Sequence, residues 1–151
     1  MNKIQINEFS LLYRDMYHYR LKNNLVQLTD FFKEMFSTVN NNDSSTILNP
    51  LIFVMRNVAE NGDIDMDILY HNNDLITSLP VEYFSHYTIN PGFSVDLKPD
   101  YTYNFNIAMS KITKMFDKKN FEPRSYPMII IFKSENKVMV KLWVSVIKVG
   151  Y

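Results

Sequence analysis

The stretch from Tyr126 to Tyr151, "YPMIIIFKSENKVMVKLWVSVIKVGY", constrains the fold more than any other part of the chain. Two long apolar, β-branched runs flank one polar group, Lys133, Ser134, Glu135, Asn136 and Lys137, which is the pattern of a hairpin. Side chains alternate across a strand, so Val138, Val140, Leu142, Val144 and Val146 share one face. Met139, Lys141, Trp143, Ser145 and Ile147 share the other. Neither face is suited to water. The valine series is the natural bed for helices, and the mixed Trp143 face then needs a cleft, a ligand or a partner. A large apolar ring with a polar N–H is a common anchor at such places.

The remaining elements fit a sheet with helices on one side. "FSLLYRDMYHYR", Phe9 to Arg20, reads as a first strand rich in tyrosine. Leu25, Leu28, Phe32, Phe36 and Val39, with Phe31 and Met35, recur at steps of three and four and predict an amphipathic helix that Asn40 to Ser45 ends. "TILNPLIFVMRN" and "DIDMDILY" read as two strands joined through the turn-forming pair Asn61-Gly62. "VEYFSHYTI" is a further strand, broken by Pro91 and Gly92. Phe105, Ala108, Met109, Ile112, Met115 and Phe116 predict a second helix, with Asp100 placed to cap its start.

The two halves overlay. "NPLIFVMRN" from Asn49 matches "YPMIIIFKS" from Tyr126, each proline entering a strand after a helix ending in an aromatic, Phe36 or Phe116, at an offset of 77 residues. The expected fold is therefore α+β: one domain over residues 1–151, built from two βαββ repeats at about 9–72 and 81–151, with a mainly antiparallel sheet and two helices on one face. This order of elements resembles the GyrI-like effector-binding fold of multidrug-sensing regulators and gyrase-inhibitory proteins. The matching features are "YFSHYTI" before a Pro-Gly turn, a helix ending in "MF", and the closing "YPMIIIF" and "VMVKLWVSVI". The resemblance implies a cleft lined by aromatics on the helix-free side. It also implies a cation-facing glutamate after the proline, about where Ile130 stands in this chain. Size, element order and the Asn/Lys/Ile-rich composition are also similar to a Firmicute family encoded beside type VII secretion substrates, one branch of which chaperones a secreted nuclease toxin.

Those resemblances imply two functions. The first is a non-enzymatic cytoplasmic chaperone or adaptor whose protein partner is a type VII secreted toxin or secretion component. The second is a GyrI-like small-molecule sensor. For either, the expected binding face gathers Tyr17, Tyr19, Tyr83, Tyr87, Met139, Trp143 and Ile147. Asp63, Asp65 and Asp67 alternate with Ile64, Met66 and Ile68, which reads as a solvated strand face or, if partner-facing, as an acidic surface for a basic toxin.

Other chemistries find little in the sequence. Sixteen basic and sixteen acidic side chains cancel, and no Lys/Arg run exceeds "DKKN", so no nucleic-acid footprint is expected. The "DIDMD" series lacks the glycine and terminal glutamate of a calcium loop. His18, His71 and His86 stand far apart without ligand spacing, so neither a metal nor another cofactor is expected. Ser10, Ser85, Ser110 and Ser145 lie in no nucleophile elbow, and three glycines make no phosphate loop. Cysteine is absent, no run is long enough to span a membrane, and "MNKIQINEFSLLYRD" lacks the apolar segment of a signal peptide.

Overall fold

The structure is a computed structural model that describes residues 3–41, 46–58, 63–73, 75, 79–97 and 105–148. The chain runs β1 (Ile4–Asn7), β2 (Leu11–Asn24), α1 (Leu25–Asn41), β3 (Leu51–Val58), β4 (Asp63–Tyr70), β5 (Val81–Ile89), β6 (Gly92–Leu97), α2 (Phe105–Lys119), β7 (Phe121–Pro123), β8 (Met128–Ser134) and β9 (Lys137–Lys148). β4 and β5 coincide with the strands read from the sequence. β2 runs on to Asn24, α1 ends at Asn41, inside the expected stop at Asn40 to Ser45 though past Phe36, and α2 continues past Phe116. β1, β6 and β7 are additions: β1 and β7 are too short to show alternation, and β6, "GFSVDL", is buried along nearly its whole length. The Asn61-Gly62 turn and Asp100 lie outside the described residues.

Both helices cover one face. Met35, Phe36 and Val39 of α1 and Ala108 and Ile112 of α2 join one cluster with Leu51, Phe53, Met66, Ile68, Ile129 and Ile131 of the sheet. Val140, Leu142 and Val144 are buried in that cluster, and Val138 and Val146 pack at its margin. The valine series of β9 is thus the helix-packed face. Its hairpin to β8 closes through Glu135 and Asn136, both at positive φ (51° and 66°), a twist that matches antiparallel strands.

The sheet is antiparallel throughout, in the order β1-β6-β9-β8-β3-β4-β2-β5, with β7 paired to the end of β9. One half contributes β3-β4-β2 and the other β8-β9-β6, and the halves meet along β3 and β8, where Ile52 pairs with Ile130. The leading strands are exchanged: β1 precedes β2 but pairs with β6, and β5 precedes β6 but pairs with β2. In a flat sheet, six strand spacings, roughly 29 Å, would separate β1 from β2 and β5 from β6. The connections are residues 8–10 and 90–91, which reach about 14 Å and 11 Å. The sheet therefore curls until its two ends approach, with the helices on the convex side.

A second cluster fills the concave side: Tyr13, Met16, Ile52, Val54, Leu69, Ile89, Met128, Ile130, Phe132 and Trp143. Its composition shows that the strand overlay at 77 residues is out of register. That offset sets Ile52 on Ile129, yet Ile52 faces the concave side and Ile129 the helices, so equivalent positions of β3 and β8 are an even number of residues apart.

Gly92 marks the tightest approach within the sheet. It pairs with Asn7 of β1 and Ser145 of β9, and a Cβ on it would lie 2.1 Å from the Val144 carbonyl oxygen and 2.6 Å from Ser145 Cα. Both obstacles are backbone and cannot swing aside. Gly92→Ala is expected to destabilise the protein by about 2 kcal/mol or more, read as a lowered urea midpoint.

Candidate functional site

The concave face is roofed by the chain itself. β2 pairs with β4 only from Tyr17 onwards, whereas its pairing with β5 extends back to Leu11. The ribbon Leu11–Met16 with Phe84–Ile89 therefore projects beyond β4. At its root stands Asp15, with φ of 57°. Register is the same on either side, Tyr13 opposite Tyr87 and Tyr17 opposite Tyr83, but the Asp15–Ser85 position is unpaired. The side chains of the concave cluster step from Tyr13 to Met16 and from Tyr87 to Phe84, three residues instead of two. The ribbon changes facing at that point. Its end folds over the sheet, where Leu11, Tyr13, Tyr87 and Ile89 pack on Met128, Ile130, Phe132 and Trp143.

Among the described residues, two recesses lie beside this packed roof. The larger, about 410 Å³, is lined by Ile6, Asn7, Glu8, Phe9, Leu11, Tyr13, Ile47, Ile130, Phe132, Lys141 and Trp143. Its walls are largely aromatic and aliphatic. Trp143 is 4% exposed, and its indole N–H donates to the Asn90 carbonyl at 3.1 Å. Tyr13 is 5% exposed, and burial pushes its phenol up to about 12. At one side the Lys141 ammonium donates to Gln5 Oε1 at 2.9 Å and lies 3.2 Å from Asp96 Oδ1. Ile6, Phe9 and Ile47 leave much of their surface at the mouth, at 58%, 82% and 53% exposure.

The smaller recess, about 320 Å³, sets His18, Arg56, Asp67, Thr88, Asn90 and Ser145 among apolar walls that include Val54, Leu69, Phe84, Ile89 and Met128, with Tyr87 and Tyr126 at its side. Asp67 is its central charge, buried and accepting from His18 Nε2 at 2.9 Å and from Arg56 Nε at 2.6 Å. Phe84 stacks on the His18 ring, and the Arg56 guanidinium lies 5.8 Å from the centre of the Tyr126 ring. Tyr87 is partly buried here, its phenol also raised to about 12 by desolvation. Beyond Asp67 on the same strand, Asp65 takes both a 2.6 Å and a 2.7 Å bond from Arg20, whose guanidinium holds the carboxyl below its ordinary 3.8.

Only part of the expected tyrosine set meets on this face. Tyr87 and Trp143 belong to the concave cluster and Met139 packs at its edge. Tyr19 does not: it is fully buried in the helix-side cluster, its hydroxyl donating to the Asn72 carbonyl and accepting from Leu75 N–H. Tyr17 packs on that same cluster and lies 5.5 Å from the exposed Tyr83, whose hydroxyl bonds Asp15. The switch at Asp15 is the reason, since unbroken alternation from Leu11 would have kept Tyr13, Tyr17 and Tyr19 together. Ile147 lies half-exposed beyond both recesses, opposite Glu122 of β7.

The acidic strand is also corrected. Asp65 and Asp67 form no solvated or partner-ready acidic face, because Arg20, Arg56 and His18 neutralise them from neighbouring strands. The side chain of Asp63 lies outside the described residues. Sequence reasoning missed Leu11, Tyr13, Phe132, Arg56 and His18 as wall residues. The available signal was an aspartate inside a tyrosine-rich strand, a residue type that tolerates positive φ. Among the described residues, no group of three or more His, Asp or Glu side chains is placed to hold a metal, and no helix is long and apolar enough to cross a membrane.

The chain matches no protein-family model, and no curated protein matches it. Solved structures do. The C-terminal domain of EcmrR is similar with a TM-score of 0.59 and 10% identity, covering 99% of this chain and 99% of that one. EcmrR in its DNA complex, described as "EcmrR-DNA complex in EcmrR-RPo", is similar with a TM-score of 0.63 and 11% identity over 98% of this chain and 58% of that one. At such identity the likeness carries the fold alone, and that fold is the α+β, two-βαββ, GyrI-like arrangement.

Two outcomes follow from the charges. Asp67→Ala removes the counter-charge of Arg56 and His18; since the Arg56 side chain is 36% exposed, the loss is expected near 2 kcal/mol, below that of a fully buried pair, by urea denaturation. For Asp65 the folded pKa is depressed, so its contribution is present above 3.8 and lost as pH falls through the lower folded value. Arg20→Gln is therefore expected to be less stable than wild type near pH 6 by a small margin that vanishes as the pH is stepped below 3.8.

Proposed function

We propose that this chain is a non-catalytic small-molecule-binding domain of the GyrI-like type, with its ligand in the larger concave recess. The observation that carries the reading is a walled, mostly apolar space of about 410 Å³ with a few polar groups at its side. That size and lining suit a small organic ligand. The GyrI-like fold adds an analogy of architecture and no more. The balanced charge offers no surplus for phosphate, so nucleic acid has no part in this proposal.

A protein partner is the second reading, favoured by the exposed Ile6, Phe9 and Ile47 at the mouth. It ranks below the first because Trp143, the anchor such a partner would need, is buried and bonded to the chain's own backbone. Nothing at the site favours the narrower role of a type VII toxin chaperone.

Trp143 is the single tryptophan and stands in the recess wall, so its emission reports occupancy. Titration with a panel of small aromatic compounds is expected to give a saturable change for at least one. Leu11→Tyr, which fills part of the space from a half-exposed position, is expected to weaken that binding about tenfold with the circular dichroism unchanged. A panel that leaves the emission of the folded protein unchanged, with calorimetry equally silent, would sink the proposal.

A further inference from the structure

We infer that the larger recess selects a flat aromatic ligand that carries an acceptor oxygen and no positive charge, the oxygen receiving the Tyr13 hydroxyl proton and an ammonium hydrogen of Lys141. This rests on the ligand-binding reading above and names the class of ligand.

The walls dictate the aromatic part. Phe9, Tyr13, Phe132 and Trp143 supply ring surface, and Ile130 lies buried among them. Aromatic faces favour offset or edge contacts with other rings over contact with water.

The polar part follows from which groups are already committed. Tyr13 is 5% exposed and lines the recess, and its hydroxyl has no hydrogen-bond partner among the described residues, yet it is not sealed from solvent. A phenol raised to about 12 remains a proton donor throughout the neutral range. Lys141 has three ammonium hydrogens; Gln5 Oε1 takes one at 2.9 Å, and Asp96 Oδ1 stands 3.2 Å away as a counter-charge without accepting a hydrogen bond. A further hydrogen is available to an occupant. The Asn7 amide nitrogen is engaged by the Gly92 carbonyl and Ser94 Oγ. Tyr13 and Lys141 thus both face the recess as donors, and they call for an acceptor.

A cation finds no buried carboxylate in the wall. The lining carboxylate is Glu8, exposed at the mouth. Deeper in, Ile130 is 3% exposed and pairs across the strands with Lys141, so a ligand cation drawn inside would leave water to face an ammonium.

Three probes with a common naphthalene ring separate the possibilities by calorimetry on the intact chain: 2-naphthoate, 2-acetylnaphthalene and 2-naphthylmethyl-trimethylammonium. The naphthoate and the ketone are expected to bind at least about tenfold tighter than the ammonium. Tyr13→Phe, which removes an unpartnered hydroxyl, is expected to weaken both acceptor-bearing probes about fivefold while the thermal midpoint is held or raised. Lys141→Met is expected to weaken the naphthoate more than the ketone, which tells a carboxylate from a carbonyl as the preferred acceptor. An ammonium probe that binds as tightly as the others, or unchanged affinities in folded Tyr13→Phe and Lys141→Met, would overturn the inference and leave the ligand-binding reading standing. Absence of saturable binding for all three, with the protein folded, would overturn both.

Discussion

Two short links between strands at opposite ends of the sheet set the form of everything else. Residues 8–10 must carry the chain from β1 to β2, and residues 90–91 from β5 to β6, across what would be six strand spacings in a flat sheet. Backbone of that length cannot span the gap, so curvature is obligatory. Once the sheet curls, one side is convex and broad enough for two helices. The other is concave and too narrow for any, and the chain closes it with the free end of its β2–β5 ribbon.

Curvature also explains why apolar density on both faces of β8 and β9 does not leave a sticky surface. The helix-side residues Ile129, Ile131, Val140, Leu142 and Val144 and the concave-side residues Met128, Ile130, Phe132 and Trp143 are all within a few per cent of full burial. Burial of each large side chain is worth about 1.5–3 kcal/mol relative to exposure, so both faces stabilise the fold. Among the described residues of the concave side, what remains open is smaller and more specific than a bare sheet face: one apolar recess with donors at its side, and one whose buried aspartate is already bonded to Arg56 and His18.

The fold was largely legible. Period-two alternation separated the valine and tryptophan faces of β9, helical spacing located α1 and α2, and the two prolines exposed the duplication. The site was legible in part. Trp143 was placed on the helix-free side from strand parity, because parity holds wherever a strand is regular, while Tyr87 was expected to join it from a neighbouring strand and Ile130 was set there by the resemblance. Parity failed at Asp15, where a positive φ and an unpaired position change the facing of the ribbon, sending Tyr17 and Tyr19 to the helix side and leaving Tyr13 in the recess wall. It failed again for Asp65 and Asp67: alternation shows that they share a face, and it is silent about the cations that β2 and β3 bring there.

The sequence by itself determined both helices and the longer strands, the face on which each regular strand residue lies and the likeness of the two halves, since these depend on local spacing and on the cost of exposing apolar side chains. Tertiary structure alone decided the curl, the exchange of leading strands, the roof over Trp143 and the neutralisation of Asp67. Those features arise from contacts between residues tens of positions apart, such as Tyr13 with Trp143 and His18 with Asp67 across strands, and no local period encodes them.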